Sequence, residues 1–170
     1  MHRLGAMTKS ETRRILHRRS GHGRDYGSLA VDTIHQATGG HPWLIHLIAE
    51  RLHANAPNSQ QSIVTASDVQ AALEACAHDT EGGLIEIWRA LHPDERSVMF
   101  EIAHSSPDEE WVSVDDLRAA LTRSKQYVTT SELASLLDRI HVGGLLIRTE
   151  RHGQFLYQHA FPLFAHWCRG

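Results

Sequence analysis

A helix stop followed at once by a helix start, in the stretch ATGGHPWLIHLIAERL, constrains the fold of this chain most strongly. Gly39 stands where a helix favours a left-handed terminal residue, which glycine adopts without a steric penalty. Pro42 suits the first turn of a new helix, because its missing N–H would have no partner there. The new helix should form the buried centre of its domain, because apolar residues cover much of its circumference. They are Leu44, Ile45, Leu47, Ile48 and Leu52.

Two capping boxes mark further helix starts on either side of this break. Thr8 with Glu11, and Thr65 with Asp68, have the spacing at which two side chains bond each other's backbone N–H groups. A glycine-rich turn, SGHGRDYGS, and a polar loop, NAPNSQQS, are expected between the helices. The first half of the chain therefore predicts a small helical domain over residues 1–83.

From Pro93 onward, after a helix at LIEIWRAL, the pattern changes to three helices followed by two short strand-like runs. The helices are PDERSVMFEIAH, SVDDLRAAL and TSELASLLDRIH. The strand-like runs of LLIRTERHGQFLYQH flank a charged turn ending in Gly153, which is typical of a β-hairpin. Three helices and a hairpin follow the winged-helix order. The predicted fold class is mainly α, with a small helical domain and then a winged-helix domain over residues 84–170 that carries one β-hairpin.

Composition and motifs exclude several classes of function. A formal net charge of −3 argues against a protein devoted to neutralising phosphates. No G-x-x-x-x-G-K-[ST] loop occurs, so we expect no nucleotide hydrolysis by this chain and no cofactor of its own. The two cysteines and 14 histidines show no zinc-ligand spacing, so no metal site is expected. Without a membrane-spanning run or a secretory signal, we expect a cytoplasmic protein with no membrane contact.

A winged helix raises the question of DNA binding. The third helix of the second half presents Glu132 and Asp138 against Arg139 on its outer side, so that face should repel a duplex. Five basic residues elsewhere are candidates for nucleic-acid contact: Arg123 and Lys125 in LTRSKQY, and Arg148, Arg151 and His152 around the hairpin turn. A DNA-binding transcriptional regulator is therefore the alternative function, and a solvated hairpin without such contacts is the plainer interpretation.

Several segments in a fixed order resemble one known family. The stretch from Thr38 to Pro42, the apolar helix after it, the VTASDVQAAL helix and IWRALHPDERSVMFEIA are together similar to the C-terminal half of STAND-type ATPases. These form a branch of the AAA+ superfamily of P-loop NTPases, and the resemblance extends from about Leu4 to Trp167. It implies a helical lid and a winged helix without the P-loop domain that precedes them in that family.

The resemblance implies a non-catalytic lid and winged-helix fragment of a signalling ATPase. The full-length parent would bind ATP or ADP and couple nucleotide state to rigid-body movement of its domains. The implied partners are the upstream P-loop domain and a protein bound through the winged helix, with nucleic acid second to these. A plain scaffold with no nucleotide link is a third reading, and apolar surface on an excised lid would favour self-association.

The resemblance also implies nucleotide-contacting residues in the parent. Gly40, His41 and Pro42 correspond to the family's G-x-P motif, whose proline packs near the adenine. A helix N-terminus suits this role, because its N–H groups and dipole favour an anion. His159, in YQHAF, corresponds to the histidine of a Met-His-Asp motif that senses the β-phosphate, although its neighbours depart from that motif. Only Arg51, about three turns into its helix, is available for the arginine that many AAA+ lids place nearer the helix start.

Overall fold

A computed structural model describes residues 6–19, 24–54, 62–79, 83–105 and 111–170. Nine helices and five short strands lie within these ranges, so the prediction of a mainly α chain is confirmed. The helices are α1 (Lys9–Arg19), α2 (Ser28–Thr38), α3 (Pro42–Ala54), α4 (Ala66–Ala77), α5 (Leu84–Ala90), α6 (Pro93–Ser105), α7 (Val114–Arg123), α8 (Thr130–Val142) and α9 (Pro162–Arg169). The strands are β1 (Arg24–Tyr26), β2 (Ser62–Val64), β3 (Val112–Ser113), β4 (Leu146–Arg151) and β5 (Gln154–His159). Among the described helices, none combines the length and apolarity needed to cross a bilayer.

The chain divides into two compact units, Met1–Ile85 and Glu86–Gly170. The first unit is built around α3, which packs against α1, α2 and α4. The prediction that α3 is its buried centre is confirmed, because Leu44, Ile45 and Ile48 have no solvent exposure. Burial of each such side chain contributes about 1.5–3 kcal/mol to the free energy of folding.

A short parallel pair of strands in the first unit was not predicted from the sequence. β1 and β2 lie side by side, with Asp25 opposite Ile63. The prediction of a turn throughout SGHGRDYGS is therefore wrong at its RDY segment. The predicted polar loop NAPNSQQS lies outside the described residues except for its last residue, where β2 begins. Three-residue strands are too short to show an alternating pattern, and this pair is held by burial of Tyr26 and Val64.

The second unit joins three helices, a three-stranded sheet and a closing helix. α6 packs against α7, α8 and α9, and the order of three helices followed by a hairpin is the predicted one. Phe164 of α9 is wholly buried and stacks on Trp167 with their ring centroids 5.6 Å apart. The other leucine, isoleucine and methionine side chains of this unit with less than 2% exposure are Met99, Ile102, Leu117, Leu121, Leu133, Leu137 and Leu146.

The predicted hairpin consists of β4 and β5, paired from Leu146 opposite His159 to Arg151 opposite Gln154. Its two turn residues, His152 and Gly153, have φ values of 52° and 75°. Two successive left-handed residues give the tight turn whose twist matches that of the flanking strands. β3 pairs with the other side of β5, so the sheet order is β3-β5-β4 and β4 forms an edge.

The start of α8 is fixed by a capping box. The Thr129 hydroxyl accepts a hydrogen bond from the Glu132 N–H, and the Glu132 carboxylate accepts one from the Thr129 N–H. Thr129→Ala should therefore lower the free energy of unfolding by about 1 kcal/mol, the usual cost of losing such a cap. Urea unfolding should show this loss, whereas Ser131→Ala, which removes an exposed hydroxyl that is not the cap, should leave the midpoint nearly unchanged. Equal losses in both variants would contradict the capping role.

Candidate functional site

The turn between α2 and α3 is made by two successive left-handed glycines. Gly39 has a φ of 55° and Gly40 a φ of 72°, as predicted for a helix stop at the first of them. The Gly40 N–H donates to the His35 carbonyl at 3.2 Å, and the His41 N–H donates to the Thr38 carbonyl at 2.9 Å. These bonds satisfy the last carbonyls of α2 and direct the chain immediately into α3.

The N-terminal segment closes this turn from outside. The Met7 N–H donates to the Gly40 carbonyl at 2.8 Å. A Cβ atom built on Gly40 would lie 2.3 Å from the Met7 carbonyl oxygen, so only glycine permits the two backbones to approach this closely. The sequence reasoning missed Met7, and the second glycine of the pair is the only local signal that a backbone lies against the turn.

A partly buried hydrogen bond between α1 and α2 supports the same turn. Thr12 of α1 has no solvent exposure, and its hydroxyl lies 3.0 Å from Nδ1 of His35 in α2. The His35 ring also borders Gly40, since its Cε1 atom would lie 3.1 Å from a Cβ atom at that position. The sequence reasoning missed Thr12 and assigned His35 no role, because neither residue belongs to a recognisable motif. Together they couple α1 and α2 at the turn.

The predicted nucleotide contacts of the first unit are contiguous at the start of α3. Burial lowers the pKa of His41, so at neutral pH its ring offers hydrogen bonding rather than positive charge. Trp43 follows Pro42 and is 38% exposed, which adds a flat aromatic surface beside the helix start. An anion or a base could be accepted here by first-turn N–H groups and by apolar contact. Nucleotide contact by Gly40, His41 and Pro42 stays a prediction.

Arg51 is engaged near the other end of α3. Its guanidinium forms an ion pair with the Asp79 carboxylate, which follows α4, and both side chains are about two-thirds or more buried. The pair therefore ties α3 to the end of α4. In this structure the guanidinium helps to hold the first unit together through its contact with Asp79.

A double-mutant cycle should measure this tie. Arg51→Met and Asp79→Asn should show a coupling free energy of about 1 kcal/mol, more than a fully exposed pair gives because both groups are largely shielded from water. Unfolding of both single variants and of the double variant in urea provides the four free energies. A coupling indistinguishable from zero would show that the pair does not hold the two helices together.

His159 lies in the core of the second unit. Its Nε2–H donates to the Met99 carbonyl of α6 at 3.0 Å, and its ring meets the edge of Phe164 with centroids 6.0 Å apart. Burial lowers the pKa of this imidazole to about 4, so the ring is neutral at pH 7. His159 therefore fastens β5 to α6. Its predicted β-phosphate contact in the parent stays a prediction.

The basic residues of the hairpin do not form the single cluster expected from their closeness in sequence. Arg148 and Arg151 are three residues apart on β4, which places their side chains on opposite faces of the sheet. The Arg148 guanidinium lies 3.6 Å from the Asp138 carboxylate and 4.6 Å from the centre of the Phe155 ring. The Arg151 guanidinium lies 6.0 Å from the centre of the Trp111 ring.

The three other candidates for nucleic-acid contact are exposed. Arg123 ends α7 and Lys125 lies just after it with a φ of 60°. His152 occupies the hairpin turn. The five candidates are thus distributed between the end of α7, the hairpin turn and both faces of β4, and contact with nucleic acid stays a prediction for all of them.

A shallow groove in the second unit was also missed by the sequence reasoning. It has a volume of about 720 Å³ and lies between α6, α8 and the connection before α8. Tyr127 lines it and is 85% exposed. Two charged side chains at its rim already have partners, because Glu132 caps α8 and Arg139 lies 3.2 Å from the Glu95 carboxylate. The two charged groups are therefore already committed to the fold.

Comparison with known proteins finds no matching family model and no matching curated protein. Among solved structures, a RuvB variant of Thermotoga maritima is similar over 90% of this chain and 47% of its own, at 20% identity and a TM-score of 0.43. Cdc6p of Pyrobaculum aerophilum is similar over 98% of this chain and 50% of its own, at 15% identity and a TM-score of 0.40. The chain spans about half the length of each. A likeness at this level transfers no activity.

Proposed function

We propose that the chain is a non-catalytic lid and winged-helix module of a STAND-type AAA+ signalling ATPase. In the parent protein, ATP or ADP held by a preceding P-loop domain would contact Gly40, His41 and Pro42, with His159 as a second contact. The module would convert nucleotide state into domain movement and protein interaction. The observation that supports coupling through this turn is the close backbone contact between Met7 and Gly40.

Because of this contact, the segment before α1 and the turn from Gly40 to Pro42 should move together. Met7 is bonded to Gly40, and Thr12 of the following helix is bonded to His35 below the turn. A displacement of the segment before α1 would act on the turn directly, because Met7 is hydrogen-bonded to Gly40 and the two backbones are in close contact. Pro42 opens α3, so the displacement would pass into the buried helix of the unit.

Protein contact is proposed for the second unit in preference to DNA binding. Arg148 and Arg151 face opposite sides of β4, and Arg148 is already paired with Asp138. The outer residues of α8 add Glu132 and Asp138, which would repel phosphates. A winged-helix DNA-binding regulator is therefore the second candidate.

The proposal requires a P-loop domain, and the longer coding sequence tests this first. A G-x-x-x-x-G-K-[ST] motif should be encoded upstream, and the longer protein should bind ADP. In that protein, Pro42→Ala should weaken ADP binding about tenfold, or roughly 1.4 kcal/mol, through lost contact with the base. Pro93→Ala, at the start of α6, is the matched control and should leave the affinity unchanged. Absence of the motif, or an unchanged affinity for Pro42→Ala, would contradict the proposal.

A salt titration distinguishes the DNA-binding alternative. Under the proposal, the chain should show no duplex binding at physiological salt in a fluorescence anisotropy assay. Binding that weakens steeply with salt and is lost in the Arg148→Ala, Arg151→Ala double variant would instead favour the regulator.

A further inference from the structure

β4 is an open edge of the three-stranded sheet. It pairs with β5 on one side, and no described strand pairs with its other side. The opposite edge, β3, is only two residues long, whereas β4 has six. A long open edge presents backbone N–H and C=O groups to any strand that can approach it.

The hydrogen bond beside the hairpin shows which residues point outward. The Ala160 N–H donates to the Leu145 carbonyl at 2.9 Å, so this pair is a hydrogen-bonded pair of the antiparallel ladder. Hydrogen-bonded and non-bonded pairs alternate along such a ladder. The backbone groups directed away from β5 therefore belong to Leu146, Arg148 and Glu150.

The first of these outward groups already has a partner. Nδ1–H of His141 donates to the Leu146 carbonyl at 2.9 Å, which confirms the outward direction and covers the beginning of the edge. The outward backbone groups of Arg148 and Glu150, on either side of Thr149, take part in no backbone hydrogen bond among the described residues. Both flanking side chains are exposed.

We propose that two copies of this chain pair through their β4 edges, antiparallel, about a two-fold axis at Thr149. In that register Arg148 of one copy lies directly opposite Glu150 of the second copy, and the reverse pair is formed by symmetry. The backbones of these two pairs exchange four N–H···O=C hydrogen bonds. Opposite charges at directly facing positions stabilise a strand pair, so the edge is complementary to itself.

Neighbouring registers are disfavoured by the same two charges. A shift that centres the pairing on residue 148 would place Arg148 opposite Arg148 of the second copy, and centring on residue 150 would oppose two Glu150 carboxylates. Like charges at facing positions destabilise a strand pair. A register shifted by one residue would place Arg148 opposite Thr149 of the second copy. The backbone groups of Thr149 point towards β5, so the two residues could not exchange hydrogen bonds. Centring on residue 147 would place Arg148 opposite Leu146, whose carbonyl is already bound by His141. The charges and this bond together favour the register centred on Thr149.

Apolar groups at the same edge gain from the pairing. Ile147 is 42% exposed and would lie beside Arg151 of the second copy, whose aliphatic stem can cover it.

The present ion pair of Arg148 with Asp138, at 3.6 Å, is a surface pair, so it offers little resistance to a second carboxylate partner. Two short edges bury less area than a stable interface needs, so the dimer should be weak and strongly dependent on concentration.

Cross-linking of Thr149→Cys tests the two-fold position. At a non-hydrogen-bonded pair, facing Cβ atoms are about 4.5–5.5 Å apart, which is close enough for a disulfide after a small adjustment. Mild oxidation should give a linked dimer faster than in Gln154→Cys, an exposed hairpin position that does not face itself. The native thiols, Cys76 and Cys168, are buried and should not react. Equal rates for the two variants would overturn the proposal.

Charge variants test the register by sedimentation. Glu150→Lys should weaken self-association of the full chain at least about tenfold, because Arg148 would then face a lysine. Combining Arg148→Glu with Glu150→Arg should restore it, because the charges are exchanged but remain complementary. Circular dichroism checks that each variant is folded. A wild-type chain that stays monomeric at about 1 mM, or a dimer that Glu150→Lys leaves unchanged, would overturn the proposal.

Discussion

Replacement of Gly40 by alanine should lower the free energy of unfolding of the first unit by about 2–3 kcal/mol. A left-handed alanine by itself costs about 1–2 kcal/mol. The added Cβ would also lie 2.3 Å from the Met7 carbonyl oxygen, so the N-terminal segment must move away. Its hydrogen bond to Gly40, worth about 1 kcal/mol, would then be lost.

Two controls separate backbone strain from the clash. Gly153→Ala also places alanine at a positive φ, here 75°, but no atom lies within 4 Å of its Cβ, so its cost should be the strain alone. Removal of residues 1–7 eliminates Met7, and Gly40→Ala in the shortened chain should cost only about 1–2 kcal/mol. Urea unfolding followed by circular dichroism gives the free energies. The same cost in the full and shortened chains would show that Met7 does not constrain the turn.

The consequence for function lies in how the turn is held. In the longer protein, Gly40→Ala should displace the segment before α1 and so uncouple it from α3, while the residues of the P-loop stay unchanged. The ADP-dependent domain movement should then be reduced more than the affinity for ADP. Such a separation would support a coupling role for the turn over a role confined to binding.

Local signals explain why so much of the helical fold could be predicted. The caps at Thr8 and Thr65, the stop at Gly39 and the start at Pro42 each depend on atoms within four residues of one another. Such interactions are written into short stretches of sequence. The apolar side chains around much of α3 likewise predict its burial, because an exposed position would leave many of them in contact with water.

Features that depend on distant partners could not be predicted in this way. β1 meets β2 nearly 40 residues later, and each strand alone is too short to show a period. Met7 is recognisable as part of the turn only when its backbone is seen against Gly40. The hairpin arginines, close in sequence, are separated by the pleat of β4, which sends Arg148 and Arg151 to opposite faces.

His159 is the one candidate residue whose burial had a signal in the sequence. Tyr157, His159 and Phe161 alternate along the chain, and all three are buried. An alternating run with a histidine at an inward position indicates a core imidazole. The run is short and Ala160 interrupts its alternation of apolar and polar residues, so the pattern was overlooked.

The free energy of unfolding should fall by at most about 3 kcal/mol between pH 7 and pH 4 because of His159 alone. Burial lowers its pKa in the folded chain to about 4 from an ordinary 6.5. Between these values the unfolded chain binds the proton and the folded chain does not, so stability is present above pH 6.5 and is lost as the pH falls towards 4. Urea unfolding at several pH values measures the slope.

His159→Gln isolates this contribution. Glutamine cannot titrate but can still donate to the Met99 carbonyl, so the variant should lose most of the fall between pH 6.5 and 4 even if it is less stable at pH 7. His166→Gln, at an exposed position of α9, removes a histidine from the same unit and leaves His159 in place, so the fall should persist. Parallel profiles for the wild type and His159→Gln would contradict the assignment.

The same profile bears on the proposed nucleotide contact. A neutral His159 whose Nε2–H is given to Met99 cannot also donate from that nitrogen to a phosphate. Contact with a phosphate in the parent would therefore require the ring either to leave the Met99 carbonyl or to take up a proton on Nδ1, and an anion beside the ring would raise its pKa in both cases. In the longer protein, saturating ADP should then shift the His159 titration upward when followed by NMR of the imidazole. A titration that ADP leaves unchanged would restrict His159 to joining β5 and α6, with the nucleotide contact confined to the turn at Gly40.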